Sequence, residues 1–200
     1  MTNPERLVPV VGSGERIPIA SDHAGCELRG SLVALLTELG YAADDLGPAD
    51  ARSVDYPDYA HPLAEMVSSG EVRRGVLLCG TGLGMSYAAN RHRGVRAAVA
   101  WTPEIARLAR QHNDANVLVL PARFVSDAEG REILRSWLET PFDGGRHAVR
   151  VAKIELESDR DTLTAMPVTM SMLAMTTGTE SDDDGDGRGC GTHEPGTGET

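Results

Sequence analysis

The chain has 200 residues, a formal net charge of −11 and 40% hydrophobic residues. This apolar content suits one substantial core, so we expect a single domain with extensions. From Glu155 onward the chain carries 11 acidic and 2 basic residues, which leaves the part before it nearly neutral. The composition argues against a nucleic-acid partner, because nucleic-acid binding needs a concentrated basic surface.

Short apolar runs alternate with segments of helical periodicity, which predicts an α/β domain with a parallel sheet. Five strands are predicted, at residues 17–20, 41–46, 75–79, 95–100 and 116–120. Six helices are predicted. The first has an apolar face over 28–39, the second starts at Pro57, the third is a short segment at 85–90, and the fourth starts at Pro103. The fifth begins at a capping box at Ser126, and the last covers about 147–157. Pro18 is unexpected in a central strand, because proline lacks the N–H that a strand ladder uses.

Three regions differ in composition. We expect a domain over residues 16–157, an N-terminal extension over 1–15 and a tail over 158–200. The tail is acidic and rich in glycine and threonine, so it is predicted to be disordered.

The cysteines and the apolar runs indicate the compartment. Cys26, Cys79 and Cys190 are too few and too scattered for a disulfide framework or a paired zinc site. No apolar run approaches the roughly 20 residues of a membrane span, and the N-terminal residues do not resemble a signal peptide. The chain is therefore predicted to be cytoplasmic, with no membrane partner.

Cys79 ends a buried-strand pattern and opens into a glycine-rich turn, Gly80-Thr-Gly-Leu-Gly84. Amide groups and the positive end of a following helix would favour the thiolate and would suit a bound anion or a developing oxyanion. Met85 stands where a dinucleotide fingerprint needs its third glycine and where a cysteine phosphatase needs arginine, and the turn has no Walker lysine. The pattern predicts a reactive thiol beside an anion-accepting turn.

A second polar cluster, residues 21–25, follows the first strand. With strand order 2-1-3-4-5, strands one and three would be neighbours, and Asp22, His23 and Cys79 would share one crevice at the carboxyl ends of the strands. Asp22 could instead only cap a helix. Further along, His112 follows a helical segment, and Arg146 and Arg150 follow a glycine turn. These side chains suggest a site for a small phosphorylated or carboxylated molecule.

Six motifs in the same order resemble ribose-5-phosphate isomerase type B and its sugar-phosphate isomerase relatives. They lie at 21–25 (SDHAG), 55–60 (DYPDYA), 79–84 (CGTGLG), 88–90 with 94–97 (AAN and GVRA), 112–116 (HNDAN) and 144–147 (GGRH). The similarity covers roughly residues 16–157, and the motifs are specific together although each alone is weak.

The resemblance implies an aldose–ketose isomerase without metal or cofactor. It implies a single three-layer Rossmann-like or flavodoxin-like domain, with a five-stranded parallel sheet and helices on both faces. The protein would be a homodimer or tetramer whose sites lie between subunits, and its small-molecule partner would be a sugar phosphate.

The resemblance also assigns roles to matching residues. Cys79 would remove the proton next to the carbonyl, His112 would assist ring opening as an acid, and Thr81 would shuttle a proton between substrate oxygens. Some family members lack the cysteine and use a glutamate of the same turn, but here Met85 leaves no carboxylate there. The enediolate would be held by Gly80, Gly82, Leu83, Gly84 and Asn113, the hydroxyl or ring oxygens by Asp22 and Tyr56, and the phosphate by His23, Arg123, Arg146 and Arg150, some of them from the partner chain.

The predicted reaction converts ribose 5-phosphate to ribulose 5-phosphate through a cis-enediolate. A tetrose such as erythrulose 4-phosphate, or a hexose such as allose or galactose 6-phosphate, is an alternative substrate, because pocket depth sets chain length. A non-catalytic sugar-phosphate-binding protein is a second alternative. Thiol redox chemistry is a third, although Cys79 has no Cys-x-x-Cys partner. Cys26 is either an oxidisable thiol or an inert one.

Overall fold

The structure is a computed structural model that describes residues 14–155. Its strands are β1 (Arg16–Ser21), β2 (Ala42–Asp45), β3 (Gly75–Cys79), β4 (Ala97–Val99) and β5 (Val117–Pro121). Its helices are α1 (Cys26–Glu38), α2 (Pro57–Ser68), α3 (Leu83–Ala89), α4 (Pro103–Asn113), α5 (Asp127–Glu139) and α6 (Arg146–Val151). The predicted tail at 158–200 and nearly all of the predicted extension at 1–15 lie outside the described residues.

All five strands pair in parallel, in the order β2-β1-β3-β5-β4. The predicted order 2-1-3-4-5 is wrong at one edge, because β5 lies between β3 and β4. β5 is buried along its whole length, as an inner strand of a parallel sheet should be, whereas β4 is short and only partly buried. The predicted pairing of β1 with β3 is confirmed, and it brings the ends of these two strands together.

Side chains alternate between the two faces of the sheet. In β3, Val76 and Leu78 join one core with α1, α4 and α5, whereas Leu77 and Cys79 join a second core with α2 and α3. Helices therefore cover both faces, which confirms the predicted three-layer α/β domain. Within residues 14–155, no helix has the length and apolar character needed to cross a membrane.

Local signals set the starts of two helices as predicted. The Thr102 side chain accepts a hydrogen bond from the Ile105 amide at 3.3 Å, and Ser126 with Glu129 forms the capping box of α5. The last helix is shorter than the predicted 147–157, because it ends at Val151. Beyond it the chain tightens into turns, with the amide of Lys153 donating to the Arg150 carbonyl at 3.1 Å.

Pro18 lies in β1 between two neighbouring strands without removing a ladder bond. The Asp22 amide donates to the Leu78 carbonyl, so the even-numbered residues of β1 direct their backbone groups toward β3. The pairing with β3 begins at Ile19 opposite Val76, after Pro18. The missing N–H of Pro18 therefore points past the start of β3, which explains why a central strand tolerates it.

Candidate functional site

Cys79 is the last residue of β3, and its side chain lies on the sheet face covered by α2 and α3. The residue is only 5% exposed. Its Sγ accepts a hydrogen bond from the Gly82 amide at 3.1 Å, which closes the glycine turn back onto the sulfur. The thiol is therefore held against the same backbone amides that can bind an anion.

Two glycines of the turn are required by its geometry. Gly82 has φ +78°, and a Cβ there would lie 2.9 Å from Cγ1 of Val99. A Cβ at Gly84 would lie 2.8 Å from Cζ of Tyr56, because the Tyr56 ring packs directly on this glycine. The structure thus places Tyr56, which is a predicted substrate-binding residue, against the turn, and 39% of the surface of Tyr56 is exposed.

The end of β5 brings Arg123 to the same turn. The amides of Ala122 and Arg123 donate to the carbonyls of Cys79 at 2.9 Å and Gly80 at 3.1 Å. A Cβ at Gly80 would lie 3.3 Å from Nε of Arg123, so the guanidinium group lies across this glycine. A cation therefore stands beside the turn that follows Cys79, which suits a phosphate or another anion.

The end of β1 contributes Asp22 and His23. The Asp22 carboxylate accepts from the Ala24 amide at 2.9 Å, so it caps a short 3-10 turn, and only 8% of the residue is exposed. His23 Nδ1 accepts from the Val54 amide at 3.4 Å. Both residues therefore lie at the end of β1, next to the end of β3 that carries Cys79. Thr81 and Leu83 are exposed, and Thr81 Oγ1 accepts from the Leu83 amide at 3.4 Å. We call this group the cysteine half-site, which comprises Asp22, His23, Tyr56, residues 79–84 and Arg123.

A second group of predicted residues lies where α4 ends and α6 begins. We call it the histidine half-site, which comprises His112, Asn113, Arg146, His147 and Arg150. The rings of His112 and His147 stack with centroids 4.3 Å apart and an interplanar angle of 1°. Nε of Arg146 donates to Nε2 of His147 at 3.4 Å. His147 was not among the predicted site residues, although it ends the GGRH motif.

The environment of His147 favours the neutral ring. Burial lowers the pKa of His147, and the nearby His112, Arg146 and Arg150 lower it further, while Asp143 opposes them. Potential ligand atoms of His112, Asp143 and His147 lie within 4.8 Å of one another, so these side chains could hold a divalent ion such as Zn²⁺.

Within one chain the two half-sites lie at opposite ends of the strands, the cysteine half-site at the carboxyl ends and the histidine half-site at the amino ends. Cys79 pairs with Pro121 at the carboxyl end of β5. The Asn113 carbonyl instead accepts a hydrogen bond from the Arg96 side chain. The backbone amide of Arg96 donates to the side-chain oxygen of Asn116, which lies just before β5 begins. A strand of this length separates its ends by about 13 Å. The structure therefore does not bring His112, Asn113, Arg146 or Arg150 to Cys79 of the same chain.

A buried arginine supports the cysteine half-site from behind, and sequence analysis did not single it out. Arg29, on α1, donates to Ser21 Oγ at 2.7 Å and to the Pro48 carbonyl at 2.6 Å. Its Nε lies 2.9 Å from Oδ1 of Asp45 in an ion pair that is not aligned as a hydrogen bond. The guanidinium group therefore ties the end of β1, just before Asp22, to the segment after β2.

Replacing Arg29 with methionine is expected to lower the free energy of unfolding by about 2–3 kcal/mol, because two buried oxygen acceptors lose their donor. Urea denaturation followed by circular dichroism measures the change. Arg52→Met is the matched control, because the Arg52 side chain is 89% exposed and pairs with Asp50 at the surface. The control should stay within about 0.5 kcal/mol of the parent. Equal losses in the two variants would contradict the structural role of Arg29.

Comparisons with known proteins agree with this architecture. Residues 17–154 match the model of a family described as Ribose/Galactose Isomerase. Ribose-5-phosphate isomerase B of Escherichia coli K12 is 43% identical over 140 residues, covering 70% of this chain and 94% of that protein. A crystal structure of a Thermotoga maritima ribose 5-phosphate isomerase is 50% identical, covers 70% of this chain and 96% of that one, and gives a TM-score of 0.68. The structure of Mycoplasma genitalium ribose-5-phosphate isomerase B with bound ribulose-5-phosphate is 42% identical. It covers 70% of this chain and 93% of that one, with a TM-score of 0.67.

Proposed function

Because the chain belongs to the ribose/galactose isomerase family, we propose that it interconverts ribose 5-phosphate and ribulose 5-phosphate, with Cys79 as the general base. The observation that carries the proposal is the Cys79 thiol held against the Gly82 amide, beside Arg123 and the end of β1. A sugar-phosphate isomerase needs this combination of a base, oxyanion donors and a cation for the phosphate.

The proton transfer proceeds in two steps through one base. The Cys79 thiolate removes the proton from C2 of the open-chain aldose, and the electron pair moves to form an enediolate across C1 and C2. Thr81 carries a proton between the two substrate oxygens, and Cys79 returns its proton to C1 to give the ketose. Amides of the glycine turn stabilise the negative oxygen, which can contribute several kcal/mol to the barrier reduction.

The other predicted residues bind and prepare the sugar. His112 protonates the ring oxygen during opening of the furanose, and Asn113 with the turn holds the enediolate. Asp22 and Tyr56 contact hydroxyl or ring oxygens. The phosphate is bound by His23, Arg123, Arg146 and Arg150.

This set of residues is complete only if two copies of the chain combine. The histidine half-site of one subunit then faces the cysteine half-site of its partner. Exposed apolar side chains near the carboxyl edge of the sheet support such a contact, because a monomer would leave them in water. They are Leu83, Tyr87, Trp101 and Phe124, with exposed fractions of 45, 62, 53 and 70%. Val149 on α6, 61% exposed, offers an apolar side chain next to the histidine half-site.

The test is turnover of ribose 5-phosphate in the presence of a metal chelator, with ribulose 5-phosphate measured directly. We expect activity that the chelator does not change, and a higher kcat/KM for the pentose than for tetrose or hexose phosphates. A higher kcat/KM for a tetrose or hexose phosphate would mean that the substrate is a different sugar phosphate, with the same class of reaction. Binding of ribose 5-phosphate in calorimetry without turnover of any sugar would indicate a binding protein instead.

A further inference from the structure

A cavity of about 490 Å³ opens at the amino-terminal edge of the sheet, opposite to Cys79. Its most prominent feature is a set of four arginines from three parts of the chain. The lining comprises Arg73, Arg74, Arg96, Arg110, Asp114, Asn116 and residues 138–141. None of these residues has a part in the isomerase chemistry proposed above.

Strand register places two of the arginines on either side of β5. Gly75 of β3 and Ala97 of β4 both pair with Val117 of β5. The residues just before them, Arg74 and Arg96, therefore flank the start of β5, with their backbones about 10 Å apart across two strand spacings. Both residues line the one cavity.

The carboxylates near the cavity do not balance its arginines one for one. Glu15 serves both Arg73, at 3.6 Å, and Arg74, at 2.6 Å. Asp114 likewise serves both Arg96 and Arg110, each at 2.8 Å. The lining has one further acid, Glu139, which is exposed. Positive charge therefore exceeds negative charge around the cavity.

Arg110 retains donors that the described residues do not use. Its Nε and Nη1 bond Thr140, Asp114 and Ala115, whereas within residues 14–155 its Nη2 has no hydrogen-bond partner. Burial lowers the pKa of Arg110, Asp114 opposes this effect, and the neighbouring Arg74 and Arg96 lower the pKa further. An added anion would relieve the repulsion among these three cations.

The arginines are also held in place before any ligand arrives. The guanidinium carbons of Arg74 and Arg110 lie 5.5 and 5.9 Å from the ring centroid of the buried Trp137. Cation–π contacts and the shared carboxylates therefore fix two of the four side chains. Fixed donors lose little conformational entropy when they bind an anion.

We propose that this cavity binds a small molecule with two phosphate-type groups, at a site separate from the sugar-phosphate site. Arginine suits such groups because its planar guanidinium bonds two oxygens at once. The histidine half-site adjoins this cavity through the backbone carbonyl of Asn113, which accepts from Arg96, but none of its side chains lines the cavity. His112 lies two residues after Arg110, about 200° around α4, and its ring stacks on His147.

The test is calorimetric titration of pyrophosphate into the full chain and three single variants. Arg73→Gln removes an exposed cation of the cavity and should raise the Kd for pyrophosphate about 5-fold. Glu139→Gln removes an exposed anion and should lower this Kd about 3-fold. Neither change should alter kcat/KM for ribose 5-phosphate. Arg150→Gln, in the proposed sugar-phosphate site, should leave pyrophosphate binding to the cavity intact.

Opposite shifts in the Arg73 and Glu139 variants would support the cavity as the binding site, and they do not depend on whether the chain has isomerase activity. An unchanged Kd in both variants would overturn the proposal. Loss of all pyrophosphate binding in Arg150→Gln would also overturn it, because the only anion site would then be the one proposed for the sugar phosphate.

Discussion

Replacement of Cys79 by alanine is expected to lower kcat/KM for ribose 5-phosphate by about 1,000-fold, because removal of the general base leaves no carboxylate in the turn to replace it. The proposed mechanism requires a single base that removes the proton at C2 and returns it at C1. Ribulose 5-phosphate formation in a continuous assay measures the loss. Circular dichroism and the unfolding midpoint should show that the variant remains folded, because alanine fits the buried position.

Cys26→Ser is the matched control for the Cys79 variant. Cys26 is the other free cysteine among residues 14–155, and its Sγ contacts the Asp22 carbonyl at 3.6 Å and the Asp50 carbonyl at 3.5 Å. Serine can keep such contacts, so this variant should retain kcat/KM within about twofold. A Cys79→Ala enzyme with more than a tenth of the parent activity would show that another group is the base.

Two inactive variants should restore activity when they share one oligomer. Cys79→Ala damages the cysteine half-site and His112→Ala damages the histidine half-site, and these lie at opposite edges of one chain. A hybrid dimer then contains one intact site and one doubly damaged site. Joint unfolding and refolding of equal amounts should recover about one quarter of the parent activity, because half of the random dimers are hybrids with one of two sites intact.

The control for this experiment combines two variants of the same half-site. Cys79→Ala mixed with Asp22→Ala leaves one defect in each site of a hybrid, so no more activity should appear than in the separate proteins. Size-exclusion chromatography with differently tagged chains verifies that hybrids have formed. Failure of the first mixture to recover activity, with hybrids present, would contradict a site shared between subunits.

The elements around Cys79 were predictable because their signals are local. A continuous apolar run predicts β3, the glycines predict the turn, and the capping box predicts the start of α5 at Ser126. The order of the last two strands was not predictable in this way. The run that forms β5 is the more strongly apolar of the two, but pairing with distant β3 is what makes it the inner strand.

The supporting residues of the site were harder to predict for the same reason. Arg29 is one polar residue on an amphipathic helix, and nothing nearby in the sequence marks it as buried. Its partners at Ser21 and Pro48 are 8 and 19 residues away. His147 lies within a recognised motif, but its stacking on His112 follows from the packing of α6 on α4. Both roles depend on contacts that a linear pattern does not contain.

The alternation of side chains along β3 ties the reactive thiol to the interior of the protein. Cys79 packs in the same apolar layer as Leu77 of its own strand and as Met85 and Ala88 of α3, so the position of its side chain is set by core packing. Substitutions in that layer would shift the sulfur relative to the sugar carbons of the proposed substrate without contacting the substrate itself. In the proposed mechanism, the packing of this core layer would therefore influence the rate of proton transfer.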